Sequence, residues 1–377
     1  MPECIVLGDD VAHDILINLK RDDIIAFRDE ISKTLVDFSA TDERTYQPEP
    51  AVVTRPDGRK ALFRPFTSNN GPGIKIIVDP TTPSAAGKTE ARPESTNTTS
   101  KKPTLHGILA VCDEDGLPKG FINAEEITAY RTSMSVMIPY AWRSNTANVV
   151  VFGAGKTALW HIRQALGLRG EEIMRITVVN RSVERARALI DQVQQENEKF
   201  WRSPVVFHNL NHDHSKYEED LQEAVSQADV IFCTTPSSHS LFPAHYLTRG
   251  GAARRSLFVS GIGSWQPEMA ELDPALFTEA ASAPGGAVVV DDRDGALKSS
   301  GEIIQSGLTA EQIMELGELL HMRDTSLEGF SKEQERCLRG GLVVYKSVGV
   351  SLTDLAAANA VLALARRQGK GVLVPHF

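Results

Sequence analysis

The sequence predicts an α/β protein built round a Rossmann-type, doubly wound parallel sheet, and three observations predict it. Residues 148–158, Asn-Val-Val-Val-Phe-Gly-Ala-Gly-Lys-Thr-Ala, run an apolar strand straight into a Gly-x-Gly-x-x-Ala turn and a helix. From about residue 146 onward, β-branched runs alternate with stretches of helical spacing. The second β-branched run ends on Asn180 and Arg181, the place from which such a fold reads a coenzyme's ribose.

The glycine turn suits a dinucleotide pyrophosphate. Gly153 permits the tight turn, Gly155 lets backbone approach a phosphate, and Ala158 allows close helix–strand contact, while N–H groups at the helix start face the anion. Gly153, Ala154, Gly155, Lys156 and Thr157 are therefore candidate coenzyme-binding residues. At the end of the next strand a carboxylate would hydrogen-bond the ribose of NAD and repel a 2′-phosphate, and none is present. Asn180 can hydrogen-bond and Arg181 can form charge-assisted bonds to phosphate, each worth about 1.5–3 kcal/mol. NADP(H) is expected ahead of NAD(H). The competing reading of Arg181 is a solvated cation, as Arg185 and Arg187 on the following helix face are read.

Taken in order, the chain opens with a helix over residues 22–38, then strands over 60–63, 73–78 and 107–112. Residues 83–104 are dense in Pro, Ser, Thr, Lys and Asn and read as a surface insertion. Asn123 with Glu126 makes a capping-box start for a helix whose apolar stripe is Ile127, Tyr130, Met134, Met137, Ile138 and Ala141. These elements make an α+β domain, residues 1–142. Strands over 147–152, 176–179, 205–207, 230–234, 257–262 and 287–290, with helices to Leu168, over 183–197 and over 217–227, make a nucleotide-binding domain, residues 143–345. Ligands belong at the carboxyl ends of such strands, which puts Thr234, Thr235 and Pro236, and Ser260, Gly261, Ile262 and Gly263, at the coenzyme rim. Residues 342–348 are strand-like, and Ser351 with Asp354 starts an Ala- and Leu-rich helix to Arg367 in a C-terminal segment, residues 346–377.

At 377 residues the chain exceeds one comfortable core, so two domains are expected. Its 41% hydrophobic share is that of an ordinary globular protein, and a net charge of −9 argues against nucleic acid or an anionic membrane as main partner. No basic region followed by an apolar core opens the chain and no run approaches a membrane span, so a cytoplasmic protein is expected. Cys4, Cys112, Cys233 and Cys337 are far apart without a Cys-x-x-Cys pair, which suggests neither a zinc site nor a disulfide framework. The lone His161 and His239 fit packing or solvent contact better than catalysis, and Trp142, Trp160 and Trp201 fit core or interface anchors.

Several segments together resemble the ornithine cyclodeaminase/mu-crystallin family: Gly73-Ile74-Lys75, Thr128-Ala129-Tyr130-Arg131-Thr132, the glycine turn, Asn180-Arg181, and Tyr345-Lys346-Ser347-Val348-Gly349. The likeness runs through nearly the whole chain. It implies an N-terminal domain that binds substrate and dimerises, completed by the C-terminal segment, beside a Rossmann domain for coenzyme. It also implies a homodimer and a small imino acid as the substrate. Lys75 and Arg131 match the family's cationic pair for the substrate carboxylate, where Arg offers a planar fork and Lys a compact charge. Ser347 would lie by the substrate, with Val348 and Gly349 against the nicotinamide. Glu302 and Asp354 are possible polar partners, weighed against an exposed helix-start residue and a helix cap.

Two departures matter. Where the family usually carries another Arg, this chain reads Glu49-Pro50-Ala51, with Arg55, Arg59 and Arg64 nearby. Where true cyclodeaminases carry an aspartate as proposed base, it reads Gly263-Ser264-Trp265-Gln266-Pro267. Trp265 has no exchangeable proton at useful pH and Ser264 is too weak an acid, so the segment resembles the ketimine-reductase branch. The expected reaction is NADPH-dependent reduction of the C=N bond of a cyclic imino acid to an amino acid such as proline or pipecolate. The alternatives are a cyclodeaminase-type lyase that recycles bound NAD, an opine or N-alkyl amino acid dehydrogenase, and a non-catalytic NADPH- or ligand-binding protein of the mu-crystallin kind.

Overall fold

The computed structural model describes residues 3–79, 106–211, 213, 215–247, 256–264, 266–282, 284, 286–326 and 329–377. The insertion at 83–104 and Trp265 lie outside them. Among the described residues no helix is long and apolar enough to cross a membrane. The chain divides into two compact units: residues 1–17, 45–128 and 354–377 form the first, and residues 18–44 and 129–353 the second.

This division differs from breaks at 142 and 346, because residues 18–44, 129–142 and 346–353 all fall in the second unit. The helix Arg21–Ala40 explains part of the difference: its buried stripe of Ile24, Phe27, Ile31, Leu35 and Phe38 is spent inside that unit. The Phe27 ring stands edge-on to Tyr130 at 4.8 Å, and Tyr130 edge-on to Trp160 at 4.9 Å. Leu35 approaches so closely that a Cβ on Gly317 would collide with its carbonyl oxygen.

The first unit is a seven-stranded mixed sheet: β1 (Cys4–Leu7), β2 (Ala51–Thr54), β3 (Lys60–Phe66), β4 (Gly73–Asp79), β5 (His106–Cys112) and β6 (Pro118–Asn123), with Val372–Val374 on the outer edge of β1. From that edge the order is Val372–Val374, β1, β6, β5, β4, β3, β2. Registers Leu62↔Ile77, Arg64↔Lys75 and Lys75↔Leu109 put these side chains on one face. The C-terminal helix covers that face at Gly120, where a Cβ would sit 2.6 Å from Leu362. The other face carries Val53, Phe63, Ile76, Val78, Ile108 and Ala110, of which Val53, Val78 and Ile108 are exposed. At the start of the helix Ala124–Tyr140, Asn123 Oδ1 accepts the Glu125 amide at 2.9 Å. The capping box expected there is not made, because the Glu126 N–H donates to Asp9 Oδ1 at 3.0 Å and its carboxylate takes His13 Nδ1 at 2.6 Å.

The second unit holds the parallel sheet. Its strands are β7 (Asn148–Phe152), β8 (Arg175–Val179), β9 (Val206–Leu210), β10 (Val230–Cys233), β11 (Leu257–Gly261), β12 (Ala287–Val290), β13 (Met314–Glu315) and β14 (Leu342–Lys346). Their order is β13-β12-β14-β11-β10-β7-β8-β9, parallel throughout. Helices Lys156–Arg169, Val183–Glu196 and Tyr217–Gln227 make the crossovers between β7, β8, β9 and β10. The runs of β10, β11, β12 and β14, apolar but for Ser260 and Lys346 near two strand ends, are buried along their whole length, as a sheet covered on both faces requires. Chain order reverses between β7 and β10, so the crevice at their carboxyl ends is the topological switch point where such sheets bind ligands.

Candidate functional site

The glycine turn leaves β7 at that switch point. Gly153 has φ +113°, and a Cβ there would stand 2.6 Å from Thr234 Oγ1, so both backbone and space require glycine. Its N–H donates to the Val179 carbonyl at 2.9 Å, while the Thr234 hydroxyl donates to the Phe152 carbonyl at 2.7 Å. The ends of β7, β8 and β10 thus meet at one point. Gly155 caps the helix Lys156–Arg169 without a side-chain bond, and a Cβ on it would meet no atom within 4 Å. It would fill the approach to the first helical N–H groups, which have no partner within the helix. Ala158 is fully buried beneath the turn. Glycine, open approach and helix start together fit a pyrophosphate.

Asn180 and Arg181 follow β8. The Asn180 amide donates to the Ser182 carbonyl at 2.8 Å. Arg181 is exposed and forms no ion pair with any described residue. Ser260 and Gly261, expected at the rim, are the last two residues of β11 and are buried, Ser260 with no exposed surface. The loop begins one residue later, with the Ile262 N–H donating to the Cys233 carbonyl at 3.1 Å.

Strand β14 stops at Lys346 rather than running to Val348, because Asp291 captures the next residues. Its carboxylate accepts the Ser347 hydroxyl at 2.6 Å and the N–H groups of Val348 and Gly349 at 2.9 and 2.8 Å. Gly349 has φ +89° in this turn. The Ser347 hydroxyl hydrogen is committed to Asp291, so what it offers a substrate is an acceptor oxygen.

Of the candidate substrate residues, Lys75 belongs to the first unit and Arg131 and Ser347 to the second. Lys75 is 2% exposed and donates to Asp354 at 2.8 Å. Asp354, 1% exposed, is therefore the counter-ion of Lys75 rather than a solvent-facing cap. Arg64 is its cross-strand neighbour on the same face, whereas Arg59 pairs with Asp57 in solvent. Arg131 is 5% exposed on the helix Ala124–Tyr140; burial and then Asp291 push the Tyr345 hydroxyl well up, with Ser347 and Arg131 only pulling against that rise.

The sequence reading missed a buried charged cluster beneath the rim. Glu271 accepts the Thr235 N–H at 2.6 Å on one oxygen and the Gly263 and Ser264 N–H groups at 2.5 and 3.1 Å on the other. Burial pushes its carboxyl up to about 7, against the pull of Lys346 and of the Thr235 and Gly263 amides. Glu302, weighed as a polar partner in the cleft and as an exposed helix start, is fully buried. Burial opposes its ionisation, but Lys346, the Glu271 N–H and the Ser264 hydroxyl outweigh it and hold Glu302 below the ordinary carboxylate range. Lys346 donates to the carbonyl and hydroxyl oxygens of Ser264, both at 2.6 Å. One signal was available: Asp291 and Lys346 each continue a wholly apolar strand, where a charge inside the fold needs a partner.

A parallel sheet with a glycine turn at its switch point defines the second unit as a Rossmann-type fold. The chain belongs to the ornithine cyclodeaminase/mu-crystallin family, whose model matches residues 87–368. A Delta(1)-pyrroline-2-carboxylate reductase of Bacillus cereus is 27% identical over 278 residues, covering 72% of this chain and 74% of that protein. The ketimine reductase mu-crystallin of Mus musculus is 30% identical over 141 residues, 37% of each chain. Among solved structures, the Thermococcus litoralis Delta(1)-pyrroline-2-carboxylate reductase in complex with NADH and L-proline shares the fold. Its TM-score is 0.72 at 15% identity, with 98% of this chain and all of that one covered.

Proposed function

We propose that this chain reduces the carbon–nitrogen double bond of a cyclic imino acid, with NADP(H) ahead of NAD(H) as coenzyme. The observation that carries the reading is the burial of two cations: Lys75 is 2% and Arg131 5% exposed, at the positions where the family grips a carboxylate. Charged donors at such depth hold a carboxylate more strongly than cations in open water do. The named reductases among the relatives support the same class of reaction.

The nicotinamide coenzyme supplies the hydride when bound. The protein's own task is to hold and orient. Gly153, Ala154, Gly155, Lys156 and Thr157 receive the pyrophosphate, Asn180 and Arg181 the 2′-phosphate, and Thr234, Thr235, Pro236, Ile262, Val348 and Gly349 border the rest. Arg131 is the proposed fork for the substrate carboxylate, and Lys75, paired with Asp354, is the second cation that the family resemblance implies for that group. Arg64 supplies the third cation that the Glu49-Pro50 departure removed. Ser347 accepts from the substrate nitrogen. The first unit takes substrate and a second copy of the chain: its outer sheet face of Val53, Phe63, Ile76, Val78, Ile108 and Ala110 is apolar and partly exposed, as a buried homodimer interface requires.

The test is a coenzyme-oxidation screen over five- and six-membered cyclic imino acids with NADPH and NADH, repeated with Arg131→Ala. The expected result is turnover with NADPH favoured, and a loss of about 100-fold or more in kcat/KM in the variant, from removing a charged hydrogen-bonding partner. Unchanged rates in the variant remove Arg131 from the clamp. Release of ammonia from ornithine without added reduced coenzyme would establish the lyase reading instead.

A further inference from the structure

Three loops leave the carboxyl ends of β10, β11 and β14 in the second unit, and the buried charges beneath them form one connected chain. Glu271 joins the first loop to the second, because its two oxygens accept from Thr235 on one side and from Gly263 and Ser264 on the other. The two backbones touch there: a Cβ on Gly263 would collide with the Thr235 carbonyl oxygen. Glu302 fixes Glu271 from behind by accepting its N–H at 2.9 Å, and also accepts the Ser264 hydroxyl. Lys346, the last residue of β14, closes the chain through Ser264. Glu271, Glu302, Lys346 and Ser264 all have no exposed surface. Ending a strand does not demand buried carboxylates and a buried ammonium, and apolar side chains of similar volume would stabilise the sheet as well. What this arrangement adds is a set distance between two loop backbones.

We propose that Glu271 is a positioning residue of the coenzyme rim. It holds residues 234–236 and 262–264 at the mutual spacing that receives the dinucleotide, and it touches neither coenzyme nor substrate. The inference rests on the reading of this rim as the coenzyme site. Glu302, Ser264 and Lys346 keep the carboxylate aimed at its three amide donors.

The test compares NADPH and NADH binding by titration calorimetry in the wild-type chain, Glu271→Gln and Glu271→Asp, together with steady-state kinetics on the imino acid. Glutamine keeps the volume but turns one acceptor into a donor that faces N–H groups. Glu271→Gln is expected to weaken coenzyme binding by about tenfold to a hundredfold, the worth of hydrogen bonds to a charged acceptor. The coenzyme KM should rise with it, while kcat at saturating coenzyme stays within about threefold, a split that general loosening of the fold would not give. Glu271→Asp, which keeps the charge, is expected to recover part of the loss. Wild-type affinity in a folded Glu271→Gln overturns the proposal. A wild-type chain that binds no nicotinamide dinucleotide overturns the coenzyme reading itself, and the proposal with it. If Glu271→Gln does not fold, amide exchange in the wild type decides: the Thr235, Gly263 and Ser264 amides should be protected and slow further with NADPH. Exchange as fast as exposed loop amides, or no change with NADPH, overturns the proposal.

Discussion

Sequence displays best the residues whose surroundings are local. Gly153 and Gly155 owe their identity to a turn spanning a few neighbours, and Asn180 and Arg181 to the end of a single strand. Gly153→Ala tests this most sharply, since φ +113° and a 2.6 Å approach to Thr234 both oppose a side chain. The variant is expected to lose about 1–3 kcal/mol of stability and most coenzyme affinity, read by thermal melting and titration. A melt and an affinity equal to wild type would show that the turn tolerates a side chain. Glu271 was not legible, and Asp291 and Lys346 stand out in sequence only as charges at the ends of apolar strands, because their partners lie far along the chain: Ser264 for Lys346, and residues 347–349 for Asp291. Asp354 carried two compatible readings, a helix cap and a polar partner in the cleft. Only the placement of Lys75 against it makes it a counter-ion.

At the scale of elements, strong periodicity made the parallel sheet readable. The helix Tyr217–Gln227 and the strand Ala287–Val290 begin and end where their patterns do. Elements without such patterns were missed. Cys4–Leu7 and Ala51–Thr54 are four residues each, and Val372–Val374 only three. Such strands exist because a neighbouring strand pairs them, and sequence does not display that pairing. Pro118–Asn123 opens on a proline and contains a glycine, both poor strand formers, yet it is held between β5 and β1. The strand end at Lys346 was overrun for a related reason: Ser347 and Val348 have strand-like character, but Asp291 takes their hydrogen-bonding groups.

At the scale of the whole molecule, the net charge of −9 supplies no field for anions, so any anionic ligand depends on local cations such as Arg131, Lys75 and Arg181. Length and the change of pattern lead to an expectation of two domains. Assignment of residues 18–44 to the second unit was not readable, because it depends on where an amphipathic helix finds its partner. The outer sheet face of the first unit leads to a test of assembly. Wild type is expected to be a dimer by light scattering after gel filtration, and Val53→Lys with Ile108→Lys a folded monomer, since both positions are exposed within one chain. A monomeric wild type, or a variant that stays dimeric, removes that face as the interface. The proposed transfer of a hydride from coenzyme to an imine carbon is read by following an isotope. With NADPH deuterated at the transferable position of the nicotinamide and a cyclic imino acid as acceptor, the amino acid product should carry a single deuterium on its α-carbon by mass spectrometry. Product without label, or no product from any cyclic imino acid while coenzyme binds, would contradict the account.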